Sequence, residues 1–249
     1  MAGHSKFKNI MHRKGAQDKK RAKIFSRLGR EISVAVKEGG PDPEKNIRLR
    51  SAIVSAKSLN MPKDNIERAI KKGEGNDPDS NYEEVRYEGY GPEGVAIIVE
   101  ALTNNKNRTA AEIRSTFNKY GGNLGETGSV SFGFRRLGSI TIDKNNIEEE
   151  ELFDFIIENG SEDYELNQDE YNIYCDQSNL HILNQKIIEK FGPTNFTGLI
   201  WKSDTDINIS QEKAEVLFKL LNVLEENEDV QVVSSNFDVN DEVLSSLTA

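Results

Sequence analysis

The sequence predicts an α+β protein of several domains. An N-terminal three-helix domain is followed by two α/β domains of ferredoxin-like type, one inserted into the other. Three observations lead there. Apolar residues in the first 75 positions recur at helical spacing, and from residue 82 short strand-like runs alternate with helical stretches. Charge also divides between these regions. Residues 1–75 hold 19 Lys and Arg against 8 Asp and Glu, a net of +11, while the remainder carries a net of −21. An unequal division of this kind places a polyanion-binding end on a solubilising body.

In "KRAKIFSRLGREISVAVKEGG" (20–40), Phe25, Leu28, Ile32 and Val36 form one stripe. Lys20, Lys23, Arg27 and Arg30 form another on nearly the opposite face, so one side packs and the other points a basic row at solvent. Gly39-Gly40 ends this helix. "PDPEKNIRLRSAIVSAKSLN" starts a second, with Asp42 as cap, Pro43 in the first turn, and Leu49, Ile53 and Ala56 inside. "MPKDNIERAIKKG" is a third, burying Ile66, Ala69 and Ile70 and closed by Gly73. "GEGNDPDSN" (73–81) reads as a linker.

Next, "GVAIIVEAL" has strand composition. "NRTAAEIRSTFNKYGG" is a helix with Thr109 and Glu112 as capping box, Ile113 and Phe117 inward, and Gly121-Gly122 as its stop. "SVSFGF" (129–134) reads as a strand. "GSITID" strand, "EEEELFDFIIENG" helix, an extra strand at "DYELN", "YNIYCD" strand, "LHILNQKIIEKFG" helix and "GLIWKSDTDINI" strand give a βαββαβ-like order, the ferredoxin-like signature. The last helix, "SQEKAEVLFKLLNVLEENEDV", and strand, "VQVVSSNFDV", complete the earlier βαβ unit. The expected domains are 1–75, basic and helical; 82–134 plus 207–249, discontinuous α/β; and 135–206, an inserted acidic α/β domain.

Several functions are set aside. No apolar run approaches the roughly 18 residues needed to cross a bilayer. One cysteine, Cys175, forms no internal disulfide, and the expected location is the cytoplasm. "GYGPEG" (89–94) matches a dinucleotide fingerprint, yet it precedes a strand and Pro92 removes an amide donor. His4, His12 and His181 are scattered, with no C-x-x-C, so no metal or cofactor is expected. "EEEE" (148–151) complements a helix dipole. With no nucleophile elbow visible, the expectation is a protein that is not an enzyme, and an RNA-processing enzyme is the alternative of another class.

Two basic features remain as a nucleic-acid-binding site. The first is the N-terminal arm and helix face: Lys6, Lys8, Arg13, Lys14, Lys19, Lys20, Arg21, Lys23, Arg27 and Arg30, with Phe7 and His12 interleaved as on surfaces that combine phosphate contact with stacking. The second is "NNKNRT" (104–109) with Arg114, where Lys106 and Arg108 flank a helix amino end whose free N–H groups favour an anion.

"AGHSKFKNIMHRKGAQDKKRAKIFSRLGREI" (2–32), "NMPKDNIERAIKKG" (60–73) and "YEGYGPEGVAIIVEALTNNKNRTAAEIRSTFNKYGGNLGETGSV" (87–130) closely resemble the YebC/PmpR family, which includes a mitochondrial translational activator. The likeness is specific over residues 2–136 and collinear to the end. Phe7 stands where Trp is usual, Glu93 where Gly is common, Tyr120 where His is frequent, and Lys202 where Pro usually follows Trp201. The resemblance implies three domains and two functional descriptions: a DNA-binding transcriptional regulator, or a ribosome-associated factor that relieves stalled synthesis by contacting ribosomal RNA. No helix-turn-helix, zinc finger or RNP signature is visible, so phosphate contact dominates the expectation and ribosomal RNA is favoured over promoter DNA. Protein partners are expected on the acidic α/β domains, and a membrane partner is not.

Overall fold

The computed structural model describes residues 17–75, 81–144, 147–167 and 169–239, with side chains from residue 21. The fold is α+β: a three-helix region, then two four-stranded antiparallel sheets with helices packed on them.

Helix α1 (Gln17–Gly39) packs Ile32, Ala35 and Val36 against α2 (Ile47–Ser58) and α3 (Lys63–Glu74). Gly40 takes φ +85° and donates to the Val36 carbonyl at 2.7 Å, the left-handed stop expected there. The cap of α2 differs from expectation. Asp42 holds a local turn, accepting from Glu44 N at 3.0 Å, and the helix begins at Ile47, five residues later. Asn46 is its cap. The Asn46 side chain accepts from Leu49 N and donates to the carbonyls of Ala35 and Gly40, tying α2 to the end of α1. Gly73 does not close α3. It lies inside the helix, where a Cβ would stand 2.5 Å from the Ser33 carbonyl and 2.7 Å from Val36 Cβ, so glycine permits close packing on α1.

The first sheet runs β3-β1-β2-β9, with β1 Glu83–Tyr90, β2 Ala96–Thr103, β3 Asn123–Leu124 and β9 Val230–Ser235. β2 is the apolar run because both its faces are covered. Ile97 and Val99 face the core of α4 (Lys106–Lys119) and α7 (Gln211–Glu226), while Ala96 and Ile98 meet Val130, Phe134 and Trp201. The capping-box expectation fails at α4. Asn105 is the cap, accepting from Arg108 N at 3.1 Å, and Thr109 lies in the first turn with its hydroxyl turned inward.

Residues 129–133 are not a strand; the next strand begins only at Phe134. Val130 and Ser131 donate their backbone N–H to the Glu88 carboxylate, both at 2.9 Å, which bends the chain into a single 3₁₀ turn at Ser131–Gly133. Burial alone would raise the Glu88 carboxyl, but these backbone donors outweigh it and hold the group below its ordinary value.

The second sheet runs β5-β6-β4-β7: β4 Phe134–Asp143, β5 Ser161–Leu166, β6 Glu170–Cys175 and β7 Phe196–Ser203. With α5 (Glu149–Glu158) and α6 (Leu180–Phe191) it has the ferredoxin-like strand order, and Ile140, Leu152, Ile156, Tyr171, Leu183 and Ile187 fill its core. The strand expected to continue past Ser203 breaks there. Ile207–Asn208 (β8) instead pairs in parallel with Phe237–Asp238 (β10).

Candidate nucleic-acid interface

Lys6, Phe7, Lys8, His12, Arg13 and Lys14 lie outside the described residues, and Lys19 and Lys20 are described only as α1 backbone. Arg21 is exposed, its guanidinium 5.5 Å from the Phe25 ring centre. The rest of the row departs from expectation: Lys23, Arg27 and Arg30 do not point freely at solvent. They face the corner 225–229 between α7 and β9.

This corner is an array of oxygens. The last carbonyls of a helix lack partners within it and carry the negative end of its dipole, which attracts cations. Arg27 Nη2 donates to the Glu225 carbonyl in the last turn of α7. Arg30 Nη1 donates to the Glu228 carbonyl at 2.6 Å and to Asp229 Oδ1 at 2.9 Å, and Arg30 Nη2 stands 3.6 Å from the exposed Glu228 carboxylate. The fit is incomplete. Arg27 Nε is buried with no hydrogen-bond partner among the described residues. Burial draws the Arg27 guanidinium below its ordinary value. Burial, helped by the neighbouring Arg27 charge, pulls Lys23 down from 10.5 to about 8.

The second basic feature meets the same corner. Asp229 Oδ2 accepts from Arg108 Nη2 at 2.6 Å, from the Thr109 hydroxyl at 2.7 Å and from the Thr103 hydroxyl at 3.1 Å. Desolvation would raise this carboxyl, only 4% exposed, but Thr109, Arg108 and Thr103 together keep it below the usual carboxylate range. The anion expected beside the start of α4 is therefore the chain's own Asp229. Arg30 from α1 and Arg108 from α4, 78 positions apart in sequence, converge on one carboxylate.

The remaining candidates separate. Lys106 pairs with Glu83 across the sheet edge. Arg114 is exposed on α4 in a shallow groove shared with Lys119, which the sequence reading missed. It also missed Asp229 and Tyr82. The Tyr82 ring sits between Arg30 (5.5 Å) and Lys72 (5.3 Å) on the rim of a polar cleft with Asn104, Arg108 and Glu228. The acidic run 225–229 was visible, but nothing local tied it to a helix 198 residues away. No group of three His, Cys, Asp or Glu side chains among the described residues is placed to hold a metal ion, and no described helix is long and apolar enough to cross a membrane.

Two family models match the chain. One, described as the TACO1/YebC protein N-terminal domain, covers residues 5–76. The other, described as the TACO1/YebC second and third domain, covers residues 82–237. Among solved structures, the crystal structure of a conserved hypothetical protein from Aquifex aeolicus is similar, with 45% identity and a TM-score of 0.83 over 90% of this chain and 93% of that one.

Proposed function

Because the chain belongs to the TACO1/YebC family, which is of transcription- and translation-regulator type, we propose that it is a non-enzymatic regulator of gene expression that grips nucleic acid by its phosphates. Its favoured target is ribosomal RNA, and its action is to stabilise one arrangement of the translating ribosome so that stalled synthesis resumes. The observation that carries the reading is the confinement of a net +11 to residues 1–75 of a chain whose total is −10. A surface of this sign and extent attracts polyphosphate by counterion release and needs no base-specific contact. We read residues 1–75 as the gripping domain. The discontinuous 82–134/207–249 domain and the inserted 135–206 domain form an acidic body that orients it in the cytoplasm and meets protein partners. The exposed face of α4 with Arg114 and Lys119 extends the cationic surface onto that body.

The experiment is co-sedimentation of the full chain with ribosomes, set against gel shifts on promoter DNA at matched salt. The expected result is ribosome association whose affinity falls by about three decades between about 50 and 200 mM salt, the slope for about six phosphates neutralised. Binding indifferent to salt overturns the reading, and preferential binding of promoter DNA moves it to transcription.

A further inference from the structure

Members of both basic features expected to meet a nucleic acid, Arg27 and Arg30 of the first and Arg108 of the second, are occupied by one segment of the chain itself. The corner 225–229 gives the Glu225 carbonyl to Arg27, the Glu228 carbonyl to Arg30, and the two oxygens of Asp229 to Arg30 and Arg108. It presents closely spaced oxygens to closely spaced guanidinium groups, as a sugar–phosphate chain does.

Three observations make this contact separable. First, the apolar core of the helices is closed on itself. Among the described residues its members run from Phe25 to Ile70 and include nothing from residue 81 onward. Second, the contacts found between helices and body are polar: Arg27 and Arg30 on the corner, Arg48 with Glu84, Lys37 with Asn81, and Lys72 with Tyr82. Units joined by polar contacts move relative to one another by default, and the exposed pairs among them, such as Arg48 with Glu84, yield to competing ions. Third, the docked state satisfies its cations poorly. Arg27 Nε is buried with no hydrogen-bond partner among the described residues, and burial, with the Arg27 charge, disfavours the charged form of Lys23. A phosphate chain supplies more acceptors than the corner does.

We propose that the 225–229 corner is a built-in competitor that holds the cationic face of α1 in reserve, and that a polyphosphate chain displaces it and swings the three helices away from the body. This rests on the nucleic-acid reading above. It adds that binding and domain opening are one event, so acidic residues distant in sequence set the affinity of the basic helix.

The test uses the full chain with spin labels at Ser58→Cys on α2 and Glu215→Cys on α7, both exposed; Cys175 is buried and escapes labelling. The probe is a duplex RNA oligonucleotide. Saturating RNA is expected to lengthen the label-to-label distance. The Glu226→Gln/Glu228→Gln variant, altered at two exposed positions, is expected to bind RNA at least about 5-fold more tightly near physiological salt and to show the longer distance partly populated without RNA. RNA that binds the labelled chain without changing the distance overturns the competitor. So does tighter binding by the variant with its distance unaltered, because removal of two negative charges then accounts for the gain. Absence of RNA binding by every form even at about 50 mM salt overturns the functional reading itself, and the competitor with it.

Discussion

Asp229 is the residue on which the helices, α4 and the end of α7 converge. Its carboxylate is nearly sealed from water and answers two guanidinium groups and two hydroxyls. Removing one partner of such a pair leaves the others with uncompensated polarity. Asp229→Ala is therefore expected to cost about 3 kcal/mol in a denaturant melt at neutral pH. The carboxyl lies below its unfolded value, so its contribution is complete above about pH 4 and fades as pH falls through the folded value. Wild type and variant should converge under strong acid. Lys23 has the opposite linkage. Its folded value near 8 lies below the unfolded 10.5, so the unfolded chain binds the proton more tightly between them. Wild-type stability should then rise relative to Lys23→Met from about pH 8 to 10.5, a narrowing gap readable in thermal melts across that range. Glu93 combines two effects at one position. It takes φ +57°, where glycine is at ease, and its carboxylate accepts from the backbone N–H and hydroxyl of Ser210 at the start of α7. The strain of the turn is set against a helix cap.

At the scale of elements, the helices were legible because each buries one apolar stripe against another, and period alone reports that. The caps were less so. Asp42 and Thr109 are good capping residue types, but Asn46 and Asn105 took the role because their side chains also reach the preceding structure or the first turn. β1 was hidden by its composition: EEVRYEGY is acid-rich, and its pairing with β2 along Glu83–Tyr90 is a tertiary fact. The turn at Ser131–Gly133 was hidden because a buried carboxylate 42 residues earlier in the chain decides it. Gly73 was read as a stop when it is a close approach between α3 and α1. That distinction is measurable. Gly73→Ala would be neutral or better at a helix end, whereas a methyl group forced against the Ser33 carbonyl should cost about 1–3 kcal/mol in a urea melt. The candidate site was legible to the same degree: the cationic stripe is periodic and visible, and its docking on the 225–229 corner is not.

At the scale of the whole molecule, the two sheets share a small apolar cluster of Ala96, Ile98, Val130, Phe134 and Trp201, whereas the helical unit meets them through polar side chains. Trp201 from β7 is held between the guanidinium groups of Arg86 and Arg136, each 5.1 Å from its ring centre, and Arg136 pairs with Glu100 of β2. These contacts bind the second sheet to the first, while the Asp229 corner binds the helices. The first sheet takes its last strand from beyond the second sheet in the chain. β9 pairs with β2 from Ile97↔Ser235 to Ala101↔Val230, across 129 to 138 positions. A chain shortened to end at residue 206 should lose this strand and α7, expose the apolar face of β2, and aggregate, as light scattering would record. The same pairing sets an order on birth at the ribosome. As the polypeptide emerges from its amino end, the bundle of three helices can close early, yet the rim of β2 waits uncapped until the chain has been made past Ser235. Synthesis speed between β2 and β9 thus governs how long that rim stands open to strangers.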